Sequence, residues 1–209
     1  FAVLGSGSQG NGTLVASAGT YVLVDCGFSL RETEKRLLRL GVHPAQLSAI
    51  LVTHEHADHV HGVGLLSRRY NLPVYLSRGT LEGLRKPIEP AGFVAGGEQL
   101  RIGALDISVV SVAHDAREPT QYVFSDGERR FGLLTDLGSY CDRVMDSYRD
   151  LDALMIESNH CRDMLARGYY PYFLKQRVGG EHGHLNNHQA AFLVAELGWQ
   201  GLQHLVLAH

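Results

Sequence analysis

The stretch "LVTHEHADHVHG", residues 51–62, sets four histidines and two acids directly behind a short apolar run. Side chains alternate along an extended backbone, so His54 and His56 face one side, Glu55 the other, and two imidazoles can converge on one cation. Asp58 and His59 follow where a turn into a helix aims them at a second position nearby. Imidazole and carboxylate without thiolate suit zinc, manganese or iron. With 12 His and 11 Asp in 209 residues, H-x-H-x-D-H arises by chance in roughly one of 10⁵ windows. The pattern therefore reads as a metal loop rather than a polar turn.

Four donors from one loop cannot complete two metal sites. His114 closes "ISVVSVAH", Asp136 closes "FGLLTD" and His209 closes "HLVLAH", each a donor delivered at the end of an apolar strand. Any one of them alone reads equally as a turn residue or a helix cap. Two further residues stand out, Glu157 at the end of a strand in "MIESNH" and His184 just before the helix in "GHLNNHQAAFLVAE". His184 or Asn186 acting simply as that helix's cap is the competing reading.

The elements that must position these residues follow from periodicity. "FAVLG", "TLVAS" and "YVLVDCG" read as strands in a hairpin meander around the turn "SGSQGNG". "LRETEKRLLRL" reads as an amphipathic helix with Gly41 as its stop, and "LSAILVT" as a buried strand that ends where the histidines begin. Helices near Gly64–Tyr70 and Thr80–Arg85 flank the strand "PVYLS", and the strands "LRIG", "LDISVVSVA", "TQYVFSDG" and "RRFGLLTD" come next. A helical "SYCDRVMDSYRD" leads to the strand "LDALMIES", a loop-rich 159–183, the helix "NNHQAAFLVAELG" and the last strand "LQHLVLAH". Hairpin strands followed by strands alternating with helices recur in each half, which predicts two mixed sheets with helices outside. No linker or low-complexity segment interrupts the chain, so residues 1–209 are expected to form a single domain.

The composition limits the function classes. At 209 residues and 44% hydrophobic content, a buried core is expected. A formal charge of −3, from 19 Lys+Arg against 22 Asp+Glu, carries no global basic field. Contact with a few phosphates in a local groove remains compatible with it. Cys26, Cys141 and Cys161 are widely spaced, which fits reduced thiols in a cytoplasmic protein better than a disulfide framework. No apolar run is long enough to span a membrane, and the first residues given show no basic segment followed by an apolar one, so neither a spanning helix nor a signal peptide is expected. A start at Phe1 and a stop at "HLVLAH" are expected to be trimmed ends.

The order and context of these donors resemble the metallo-β-lactamase fold superfamily, over essentially the whole chain. The resemblance implies an α/β fold, a four-layer αββα sandwich of two mixed β-sheets. It implies His54, His56 and His114 on a first metal, Asp58, His59 and His209 on a second, and Asp136 bridging them. Two divalent ions, zinc foremost with manganese or iron as alternatives, would share and activate a water for hydrolysis. Asp58 would also orient that water through its second oxygen. "MIESNH" and "GHLNNHQAA" resemble ribonuclease Z-type nucleases, which implies that Glu157 orients His184 as general acid.

Closer still, "LGSGSQGNGT", "THEHADHVHG", "NLPVYLS", "ESNH", "GYYPYFLKQRVGGEHGHLNNHQAA" and "LVLAH" resemble the YycJ/WalJ-like subgroup. That resemblance implies a DNA exonuclease. "RGYYPYFLKQR" interleaves Arg167, Lys175 and Arg177 with Tyr169, Tyr170, Tyr172 and Phe173, which suits phosphate contact and base stacking. Lys175, Arg177 and Tyr172 are the candidate substrate contacts, with a packed loop carrying a solvated rim as the alternative. His61, His160 and His182 read as supporting or substrate-contacting residues. His43, His188 and His204 read as ordinary surface or packing residues, and Cys26 as a buried strand-end residue. The expected activity is dinuclear metal-dependent phosphodiester hydrolysis of nucleic acid, DNA foremost. Hydrolysis of a cyclic phosphodiester or thioester is the rival enzyme class, and a metal-binding interaction module without catalysis is the third reading.

Overall fold

The computed structural model describes residues 1–209, apart from the side chain of Trp199. Its chain divides into two compact units, Phe1–Val109 with Ala116–Thr120, and Val110–Asp115 with Gln121–His209. Twelve strands form two six-stranded sheets, one running in simple chain order over the first six strands, the other over the last six in reverse.

In the first unit, β1 (Ala2–Gly5), β2 (Gly12–Ser17) and β3 (Thr20–Val24) make the expected antiparallel meander. The helix α1 (Leu30–Arg39) is capped by Ser29, whose side chain accepts from Glu32 N, and leads to β4 (Ala49–Leu51). The metal loop then opens into a short helix, α2 (Ala57–Val60), followed by α3 (Val63–Tyr70), β5 (Val74–Leu76), α4 (Arg78–Gly83) and β6 (Gly92–Phe93). The strands from β3 to β6 pair in parallel, so β3 and β4 point their carboxyl ends the same way. A hairpin of β7 (Gln99–Ile102) and β8 (Leu105–Ser111) completes the run. Leu37 of α1 and Val63 and Leu66 of α3 are fully buried with Leu23, Ile50, Val74 and Leu76 of the strands. Burying each such side chain contributes about 1.5–3 kcal/mol.

In the second unit, β9 (Thr120–Ser125) pairs antiparallel with β10 (Arg130–Leu134). The helix α5 (Asp142–Ser147) leads to β11 (Ala153–Glu157). Every residue of β11 is buried, as an apolar strand between two parallel neighbours requires. Two short helices, α6 (Arg162–Arg167) and α7 (Tyr172–Val178), occupy the segment expected to be loop-rich. Turn residues such as Gly168 and Pro171 hide them from periodicity, and neither helix buries a residue. Finally α8 (Asn187–Leu197) precedes β12 (His204–Ala208). Strands β10, β11 and β12 are mutually parallel, with Leu134 beside Ile156 and Glu157 beside Ala208. Their carboxyl ends therefore lie along one edge. Val144, Met145 and Tyr148 join Ala190 and Leu193 of α8 over Leu134, Leu154 and Ile156.

Candidate active site

The metal loop leaves β4 at Leu51 and is held by residues from two earlier turns of the same unit. Asp25, one residue past β3, accepts from Thr53 N through Oδ1 and from the Thr53 hydroxyl through Oδ2, each at 2.8 Å. Having given its proton to Asp25, the Thr53 oxygen can only accept from His54 Nδ1, 3.0 Å away. His59 Nδ1 sits 2.8 Å from Asp25 Oδ2 and donates to it. Both arrangements put the proton of the neutral imidazole on Nδ1 and leave Nε2 as the acceptor nitrogen, the state a metal ligand needs. The amide of Asn11 lies 2.9 Å from His59 Nε2 and 3.1 Å from Asp58 Oδ2, facing both as a donor. His54 Nε2 and His56 Nδ1 are 3.0 Å apart, so two ring nitrogens converge as the alternation rule requires.

Backbone approach explains the glycine at 27. Asn11 N donates to Asp58 O at 2.7 Å and Gly27 N to Asn11 O at 2.9 Å. A methyl group on Gly27 would overlap the Asp58 carbonyl. Glu55 points away from the histidines and accepts from Arg117 N at 2.9 Å, which makes it a brace for the loop.

The second unit supplies its donors at the parallel strand ends. Asp136 lies two residues beyond β10, Glu157 is the last residue of β11, and His209 lies one residue beyond β12. His114 sits three residues past β8, in a connection tied down by the Ala113–Ser139 bridge, and so lies farther from its strand than "ISVVSVAH" implies. Its Nδ1 donates to Gly183 O at 3.1 Å, so Nε2 is again the acceptor nitrogen of the neutral ring. Gly183 has no room for a side chain, because a Cβ there would overlap the carbonyls of Arg177 and Val178. Asp136 has a left-handed backbone with φ 54°, and Asp25 one of 60°. Strained conformations of this kind gather where geometry serves function.

Glu157 is fully buried and holds this edge together. It accepts from Leu137 N at 2.9 Å, Leu185 N at 2.8 Å, Asp136 N at 3.2 Å and His184 Nδ1 at 3.0 Å. Burial pushes its carboxyl above the ordinary value, while the His184 hydrogen bond draws it back. The cap of α8 is Asn186, whose side chain accepts from His188 N and Gln189 N. His184 is therefore not engaged as the cap. Donor atoms of Asp136, His184 and His209 all lie within 4.8 Å of one another, and Asp136 Oδ1 is 3.1 Å from His209 Nε2. This set, a buried carboxylate with two half-buried imidazoles, is of the nitrogen-and-oxygen kind that fits a borderline divalent cation.

The predicted substrate contacts lie elsewhere in the second unit. Tyr172, Tyr169 and Phe173 are exposed on and before α7. Arg177 is engaged in an ion pair with Asp115, and Lys175 donates to Ala166 O at 2.7 Å. His160 Nδ1 contacts Asn159 at 3.2 Å, and burial with the charges of His184 and Arg162 lowers its pKa. His43 braces a turn by accepting from Ala45 N. Thr53 and the supporting roles of Asp25 and Asn11 were not foreseen. Asp25 carried a usable signal, since "YVLVD" has the same strand-then-aspartate form as "FGLLTD".

The family model described as a β-lactamase superfamily domain matches residues 20–209. The chain belongs to this family. Within the β-lactamase superfamily, it is similar to the exodeoxyribonuclease YycJ of Bacillus anthracis, at 36% identity over 100% of this chain and 81% of the relative. It is also similar to the exodeoxyribonuclease WalJ of Streptococcus pneumoniae, at 35% identity over 91% of this chain and 74% of the relative. The crystal structure of the metallo-β-lactamase fold protein YhfI from Bacillus subtilis superposes with a TM-score of 0.75, at 22% identity, over 99% of this chain and 84% of that one. The fold is accordingly the α/β metallo-β-lactamase fold, and the chain is a hydrolase of this superfamily that binds divalent metal. Among the described residues, no helix is long and apolar enough to cross a membrane.

Proposed function

We propose that the protein is a cytoplasmic exonuclease that hydrolyses phosphodiester bonds of DNA with two divalent ions, zinc foremost. The observation that carries this reading is 36% identity to the exodeoxyribonuclease YycJ over the full chain. Three free cysteines agree with a reducing compartment. Because the family match runs through both compact units, they are read as one functional domain.

His54, His56 and His114 would hold one ion, and Asp58, His59 and His209 the other, with Asp136 shared. The Nδ1 contacts of His54, His59 and His114, which make Nε2 the acceptor nitrogen of each neutral ring, support those assignments. When bound, the ions supply Lewis acidity and an activated water. Asp58 orients the attacking water through its second carboxylate oxygen. His184, fixed through Nδ1 by Glu157, offers Nε2 as the donor that protonates the leaving oxygen. Tyr172, Lys175 and Arg177 would contact the strand, Tyr172 by stacking and the two cations through phosphate once released from Ala166 O and Asp115.

The test incubates metal-loaded protein with end-labelled single- and double-stranded DNA, RNA, a cyclic nucleotide and a thioester. DNA shortened from an end, with at least a hundredfold loss in Asp58→Ala, is the expected result. Intact DNA beside a hydrolysed thioester or cyclic nucleotide would replace this reading with the small-molecule one.

A further inference from the structure

The first unit contains a pocket of about 510 Å³ beside the metal loop, and nothing in the proposed chemistry uses it. Its lining begins at His56 and Ala57 and passes to α3 and the segment after α4. Its lining includes the apolar side chains of Leu65, Leu84 and Ile88, and Leu65 is 49% exposed. It also includes Arg68, Arg85 and Lys86, all exposed and none in an ion pair among the described residues. Arg36, Arg69, Arg117 and Arg129 of the same chain all have carboxylate partners.

Three uncommitted cations against the single carboxylate Glu55 make this pocket locally positive in a chain of net charge −3. Like-charged side chains gathered without counter-charges repel one another, and an anion relieves that repulsion. The volume suits a small organic ligand rather than a bare ion. Apolar and cationic side chains lining one pocket match the two halves of a nucleotide, a flat base and its phosphate.

We infer that this pocket is a nucleotide subsite, taking one base of the DNA strand against Leu65, Leu84 and Ile88 and its phosphate at Arg68, Arg85 and Lys86. The assignment of DNA rests on the function proposed above. The pocket's affinity for a nucleotide does not, so the two can fail separately. Because His56 lines the pocket, a nucleotide seated there enters beside a proposed metal ligand.

The experiment titrates thymidine 5′-monophosphate, thymidine and inorganic phosphate separately into the full chain by calorimetry. The titrations are repeated with R68A/R85A/K86A and with Leu65→Asp, which adds a repelling charge on an exposed position away from the core. Saturable binding of the mononucleotide, at least tenfold tighter than of thymidine or phosphate and at least tenfold weaker in both variants, is expected. Absence of saturable binding, equal affinity in the variants, or phosphate binding as tightly as the mononucleotide overturns the subsite. Circular dichroism establishes that the variants are folded, and the exposed positions keep either variant usable if the other is not. If DNA is cleaved but no mononucleotide binds, the exonuclease stands and the subsite falls; mononucleotide binding without DNA cleavage gives the converse.

Discussion

At the scale of single residues, the buried carboxylate of Glu157 binds three backbone N–H groups and one imidazole, so its part in the proposed reaction would run through His184. His184→Ala is expected to lower kcat by about 10²–10⁴ if the imidazole is the proton donor. Glu157→Gln keeps the shape, loses the charge and is expected to cost about 10–100-fold. It should also move the alkaline limb of the pH–rate profile to lower pH, since the carboxylate that favours charged imidazole is gone. A loss of rate with an unmoved profile would mark Glu157 as structural only. The seven expected metal ligands were chosen because His-x-His-x-Asp-His is a rare spacing, and the Glu157/His184 contact was legible because a strand-end glutamate and a histidine just before a helix stand out in the sequence. Asp25, Thr53 and Asn11 were not, because aspartate, threonine and asparagine in turns are common. Only the fold brings Asn11 to Asp58, 47 positions away.

At the scale of elements, the loops hold their donors by close backbone approach. Gly27→Ala is expected to cost about 1–3 kcal/mol as the Asp58 loop is pushed outward. Urea unfolding together with zinc titration should show lower stability and weaker metal binding. A second clasp joins the strand starts of the second unit. Asp152 accepts from Arg129 Nη1 at 2.7 Å and from Arg130 N at 2.8 Å. These bonds, the Arg129 bond foremost, hold its carboxyl below the ordinary value. A depressed carboxylate stabilises the fold above its unfolded pKa, and that contribution disappears as pH falls through the lower folded one. The stability gap between the native chain and Asp152→Asn should therefore be present at pH 7 and shrink below about pH 4. Unfolding midpoints across that range measure it. The sheets were predictable from apolar runs, whereas α6 and α7 were not, because helices that bury no residue leave no hydrophobic period to read.

At the scale of the whole molecule, ligand linkage sets the response to metal. Metal at about a hundred times its dissociation constant adds about 2.7 kcal/mol, so chelation should lower Tm by about 5–10 °C. Scanning calorimetry with and without chelator reads this directly, and an unchanged Tm would argue against a bound ion. A net charge of −3 gives the chain no global basic field. If the one phosphate held by Arg68, Arg85 and Lys86 is the principal phosphate contact, the affinity for single-stranded DNA should fall with a log–log salt slope of about −0.7. A slope beyond about −5 would require a larger interface.

Donor types, their order along the chain and the apolar runs before them are local properties. They were enough to indicate a metal-dependent hydrolase of this fold. Which nitrogen of each imidazole carries the proton, which carboxylate holds His184, and which cations share a pocket with apolar side chains depend on residues distant in the chain. Hydrogen bonds and pockets form between neighbours in space, and spacing along a sequence does not encode those neighbours until the strands have paired.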